Sequence, residues 1–136
     1  MATSGRRSRR IPVRIGAEAW REEVERFGDR SEARVAAERE RGRLEQEGID
    51  LAALQQCDAE APDGTRLAGL VKVYVPITDG PPSERPFGFV LAPARDAGGI
   101  FLTVVAYGER HPAPGSRSAY ERAHRRLHGR YPDQEA

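Results

Sequence analysis

The sequence predicts an α+β domain: a strand, a helical hairpin, a three-stranded antiparallel meander and a C-terminal helix. Three observations carry that expectation. Apolar residues recur every three or four positions from Ala17 to Phe27, the period of an amphipathic helix. Between Leu70 and Ile77 they alternate instead, the period of a half-buried strand. A capping box, Ser118-Ala-Tyr-Glu121, then opens a basic last segment. A chain of 136 residues fits one domain with one modest core. That domain is assigned to 11–130, with tails at 1–10 and 131–136.

Taken in order, MATSGRRSRR is polar and basic with no apolar period, and reads as a disordered tail. Ile11–Ile15 alternates and fits one short strand, with Pro12 suited to an edge. Ala17, Trp20, Val24 and Phe27 form the stripe of the first helix, and Gly28 stops it. Asp29 or Ser31 caps a second helix running to about Glu47, stopped by Gly48. Its apolar face (Ala33, Ala37, Leu44) is small and requires close packing. Ile49 to Gln56 fits a brief helical piece capped by Asp50, and Pro62–Gly64 marks a turn.

In the strand Leu70–Ile77, the odd residues Val71, Val73, Val75 and Ile77 look like core. Lys72 and Tyr74 then share the opposite face. TDGPPSERP is a proline-rich hairpin loop, Phe87–Ala92 the second strand, PARDAGG a turn and Ile100–Tyr107 the third strand. Gly88 stands where another backbone or a ligand comes close. The last helix runs from Ser118 to about His128 with a stripe of Tyr120, Ala123 and Leu127, leaving His124, His128 and the arginines off it. Helices packed on one face of such a sheet would leave the other face open.

Bulk composition narrows the function. A single cysteine, Cys57, excludes an internal disulfide framework and fits a reducing compartment. No apolar run reaches the roughly 20 residues of a membrane span, and no signal peptide is evident, so a cytoplasmic protein without membrane partners is expected. The net charge of +1 conceals basic ends and an acidic middle. Of the 22 basic residues, 21 are arginine; Lys72 is the single lysine.

Several chemistries find little support. His124 and His128 stand at metal-ligand spacing, but no carboxylate or cysteine sits at a supporting distance along the chain, so neither a metal nor another cofactor is expected. No GxSxG, P-loop, GxGxxG or HExxH motif occurs. Phosphate chemistry fares better. Lys72 faces out from the first meander strand, Arg85 precedes the second, Arg110 and His111 follow the third, and Tyr120 begins the last helix. In a meander these ends converge, which would let cations stabilise the charge that develops on a phosphate. A histidine or tyrosine would move the proton. Arg117, Arg122, Arg125 and Arg126 extend the basic surface as expected RNA-binding positions.

At these residues the chain resembles the RelE/ParE superfamily of bacterial toxins. The resemblance lies in IPVRIGAEAWREEVERF, LAGLVKVYV, FGFVLA, LTVVAYGER and SAYERAHRRL, and covers about 11–128. It implies a compact α+β fold around an antiparallel sheet. It also implies either a ribosome-dependent mRNA endonuclease or a gyrase poison, neutralised by an antitoxin. In the nuclease branch Lys72 looks like the strand base, Arg110 the arginine after the last strand and Tyr120 the late tyrosine, with His111 an addition. Arg85 matches less well, because the family's arginine lies inside the second strand, where this chain has Gly88. Near-neutral charge and the segment HPAPGS between Arg110 and the helix also depart from the pattern. Two alternatives therefore stand beside the nuclease: a non-enzymatic ParE-like or regulatory binding protein, and a nucleic-acid-binding accessory protein.

Overall fold

The computed structural model describes residues 10–77 and 81–135; most of the N-terminal tail and the start of the hairpin loop at 78–80 lie outside the described residues. The fold is α+β. Its strands are β1 (Arg10–Ile11), β2 (Val13–Arg14), β3 (Ile49–Asp50), β4 (Gln55–Gln56), β5 (Val71–Val75), β6 (Phe87–Asp96) and β7 (Gly99–Glu109). Its helices are α1 (Ala17–Val24), α2 (Glu32–Glu47) and α3 (Ala119–His128). The main sheet has the order β2-β7-β6-β5-β4, and β1 pairs with β3 beside it. Among the described residues, no helix is long and apolar enough to cross a membrane.

The meander β5-β6-β7 forms as expected, with every pairing antiparallel. The segment PARDAGG is not a loop, however. Both strands continue through it until Asp96 pairs with Gly99, and the Asp96 carboxylate accepts from the Gly98 N–H at 2.8 Å. Two residues therefore turn the chain.

The expected strand at Ile11–Ile15 is two strands. Proline has no N–H to give a ladder, and the chain changes partner at Pro12. β1 runs antiparallel to β3, and β2 runs parallel to β7. The Pro12 carbonyl still accepts from Leu102 N at 2.9 Å. The expected helical piece at Ile49–Gln56 is likewise divided. A 3-10 turn at Leu51–Ala53, capped by Asp50, separates β3 from β4. At the junction of α2 and β3, Gly48 has φ +68°, and a Cβ there would lie 2.7 Å from the Ile11 carbonyl oxygen. Only glycine fits both the dihedral and the space.

Helices cover both faces of the sheet rather than one. On the first face, Trp20 and Val24 of α1 and Ala36, Ala37 and Leu44 of α2 pack on Val75, Phe89, Leu91, Val104 and Tyr107. On the second, Ala119 and Ala123 of α3 pack on Val90, Val105 and Ala106. A register shift between Val90 and Leu91 accounts for two consecutive residues, Val105 and Ala106, serving the same face. Burial on both sides explains why β7 is so uniformly apolar.

The stripe of α3 also differs from the expected one. Leu127 is 48% exposed, and His124 is fully buried in its stead. Its Nδ1 accepts from the Arg66 N–H and its Nε2 faces the Glu135 carboxylate, each at 2.9 Å. That pairing puts the proton on Nε2. Glu135 also draws the segment after residue 130 onto the domain, where Pro132–Gln134 forms a 3-10 turn.

Candidate active site

β5 presents Lys72 and Tyr74 on the sheet face that α3 covers only in part, as the alternation predicts. Arg110 leaves the end of β7, its N–H donating to the Pro86 carbonyl at 2.7 Å. Its side chain then crosses back over the sheet. It passes over Gly88, where a Cβ would meet Arg110 Cγ and Cδ at an ordinary 3.6 Å but would crowd the Val73 carbonyl oxygen at 3.1 Å. The close approach expected at Gly88 is therefore that of the neighbouring strand's backbone, at the Val73 carbonyl.

The Arg110 guanidinium is fixed from several sides. Its Cζ lies 3.9 Å over the Tyr74 ring. Nε donates to Tyr120 Oη at 3.3 Å, and Nη1 to the carbonyls of Ser83 and Arg85 at 3.1 and 2.6 Å. Tyr74 Oη in turn donates to Gln55 Oε1 at 3.0 Å. Lys72 Nζ sits 5.9 Å from the Tyr74 ring centre and 5.4 Å from that of Tyr120. Among the described residues neither Lys72 nor Arg110 has an acidic partner within ion-pair distance.

Lys72, Arg110 and Tyr120 border a cleft of about 510 Å³ that also takes in His111, Cys57 and the acidic residues Asp58, Asp63 and Glu121. Lys72, Arg110, His111 and Tyr120 are thus brought together. Cys57 is buried, and its thiol is pushed up to about 11, first by burial, with Asp58 adding to the effect and Lys72 opposing it. Such a thiol is protonated near neutral pH and is a poor nucleophile.

The remaining expected positions fall elsewhere. Arg85 lends its carbonyl to Arg110, while its side chain lines a second groove along the outer edge of β5. Arg117 pairs with Asp133 and Glu121 and lies 4.0 Å over the Tyr131 ring. Arg122 and Arg126 both reach Glu23 of α1 at 2.7 Å, and Arg125 meets Glu22 at 3.0 Å. The helix arginines expected to bind RNA are therefore engaged in holding α3 to α1 or to the segment that follows it.

Glu23 is the residue that sequence reasoning missed. It is 1% exposed. Beyond β2 the outer edge of β7 has no strand beside it, and Glu23 Oε1 accepts from the Tyr107 N–H at 2.9 Å. Arg26 of α1 donates to the Tyr107 carbonyl on the same edge. Burial pushes the Glu23 carboxyl up, but hydrogen bonds from Arg122, Tyr107 N–H and Arg126 outweigh it and hold the group below its usual range. Tyr74 was placed on the right face, but its service as a platform for both cations was not foreseen.

Both nitrogens of His124 are taken by protein partners, and no group of three or more His, Cys, Asp or Glu among the described residues is arranged to hold a metal ion. The arrangement instead suits a phosphate: two cations with no ion-pair partner among the described residues, one of them hydrogen-bonded in place, beside two groups able to carry protons. Compared with known proteins, the chain matches no family model, no curated sequence and no solved structure at a significant level.

Proposed function

We propose that the cleft binds single-stranded RNA and cleaves one phosphodiester by attack of the neighbouring 2′-hydroxyl on phosphorus. The observation that carries this reading is the pairing of Lys72, which has no ion-pair partner among the described residues, with an Arg110 locked between Tyr74 and Tyr120. In the reaction the 2′-oxygen forms a bond to phosphorus as the 5′-oxygen leaves. His111 takes the proton from the 2′-hydroxyl, and Tyr120, whose oxygen already accepts from Arg110, gives its proton to the departing oxygen. Lys72 and Arg110 offset the charge gathering on the non-bridging oxygens. The products are a 2′,3′-cyclic phosphate and a 5′-hydroxyl.

The resemblance to RelE-type toxins extends the reading to mRNA at the ribosome, with an antitoxin as controlling partner. The test is induced expression of wild type and of Lys72→Ala/Arg110→Ala in a bacterial host, following growth and mRNA integrity together. Arrest with cleaved mRNA, both lost in the double variant, is the expected result. Arrest with intact mRNA would replace cleavage by a binding target of the gyrase-poison kind. Normal growth with soluble, folded protein would end the toxin reading.

A further inference from the structure

The second groove, about 460 Å³ in volume, runs along the β5 edge beyond the two residues that pair with β4. Lys72 and Tyr74 line it from the cleft side, Ala52, Ala53 and Pro82 form apolar walls, and Arg85 closes it. Lys72 borders both depressions and is the cation common to them. The charges in the groove are not equivalent. Arg43 is bound to Glu40, which leaves Arg85 and Lys72 without acidic partners among the described residues. Arg85 Nε is moreover a buried N–H with no acceptor among the described residues. Arg41 and Arg126 share that feature, so it is the two terminal nitrogens of Arg85, which have no partner among the described residues, that are left for a ligand. The Arg85 carbonyl is already tied to Arg110, so backbone and side chain of one residue join the two depressions.

We propose that this groove is a second subsite for the same RNA strand, in which Arg85 accepts the phosphate next to the one held at Lys72 and Arg110. The inference rests on the RNA reading of the cleft and deepens it: the ligand is a strand with at least two consecutive phosphates. Arginine suits the task because its planar fork binds two phosphate oxygens at once. The apolar walls offer a surface to a base or ribose.

The experiment compares two probes on the full-length protein, both with 2′-O-methyl riboses so that neither is cut. One is a dinucleotide with a single bridging phosphate, followed by NMR titration. The other is a six-nucleotide strand, followed by fluorescence anisotropy across a salt series. Arg85→Ala should weaken the six-nucleotide strand about five- to tenfold, reduce the salt slope by about one, and leave the dinucleotide within about twofold. Ala53→Glu, which sets an anion on the groove wall, should produce the same selective loss and serves if the first variant folds poorly. Unchanged six-nucleotide binding in both variants overturns the subsite while the cleft reading stands. Equal loss of both probes also overturns it, by assigning Arg85 to the cleft. Failure of the wild type to bind either probe removes the cleft reading, and the subsite with it.

Discussion

Along the seam between α1 and α3, Arg122, Arg125 and Arg126 each meet a carboxylate, whereas at the cleft Lys72 and Arg110 meet tyrosine rings and carbonyl oxygens. Both regions are rich in cations, and a count of basic residues along the chain does not separate them. The partners do. Glu23 is shared by two guanidinium groups and caps a strand edge, so every arginine of the seam has a carboxylate partner. The cleft holds its arginine by neutral groups, which fix a position without cancelling a charge. A cation that is positioned but not neutralised is one prepared for an anion from outside.

The contrast breaks most visibly at Glu23. Glu23→Ala leaves Arg122 and Arg126 without their shared counter-ion and orphans the Tyr107 N–H. It should cost about 3–5 kcal/mol in urea denaturation. A loss below about 1 kcal/mol would mean that the seam is no more closed than the cleft. The same group gives a pH signature. A carboxyl held below its usual value stabilises the fold above the unfolded value, near 4.5, and loses that contribution as pH falls through the folded value. The stability gap between wild type and Glu23→Gln should therefore be constant near neutral pH and shrink below about pH 4.5. A gap that widens on acidification would contradict the sign.

Lys72→Ala is the mirror experiment. On the proposed function it should lower RNA cleavage by about 10²–10³-fold, the usual effect of removing one preorganised charge-stabilising group. Stability should move by less than about 0.5 kcal/mol, because no partner is left unsatisfied. Arg110→Ala lies between the two regions. It should lose comparable activity and also about 1–2 kcal/mol of stability, through its bonds to Ser83, Arg85 and Tyr120. Thermal denaturation of the two variants side by side would separate the roles. The smallest effect belongs to Arg125→Ala, whose ion pair with Glu22 is exposed on both sides. It should cost no more than about 1 kcal/mol, and less at high salt.

Much of the cleft was legible because it depends on local rules. Alternation along β5 puts Lys72 and Tyr74 on one face whatever packs nearby, and a meander brings the end of β7 beside the start of β6. A capping box fixes where α3 begins, and with it Tyr120. The seam was not legible, because Glu23 and Arg122 are separated by 99 positions and meet only where β2 ends and exposes the β7 edge. His124 escaped for a related reason. A histidine is polar by type, yet Arg66 and Glu135, distant in sequence, supply partners that let it replace Leu127 inside. Pro12 was read correctly as an edge residue, but the change of partner on either side of it needed both β3 and β7 in view.

The parallel pairing of Val13 and Arg14 with Leu102 and Thr103 bears on how the chain is made as well as how it stands. β7 completes the core for α1, the site for Arg110 and the floor for α3, yet it follows β1 to β6 in chain order. Joining β2 to it closes a loop of almost ninety residues, an entropic step that slows folding. Without β7 the helical hairpin has only Val75, Phe89 and Leu91 of β5 and β6 to cover, and lacks Val104 and Tyr107. The first-face core and the cleft are thus complete only once β7 and the segment after it are in place.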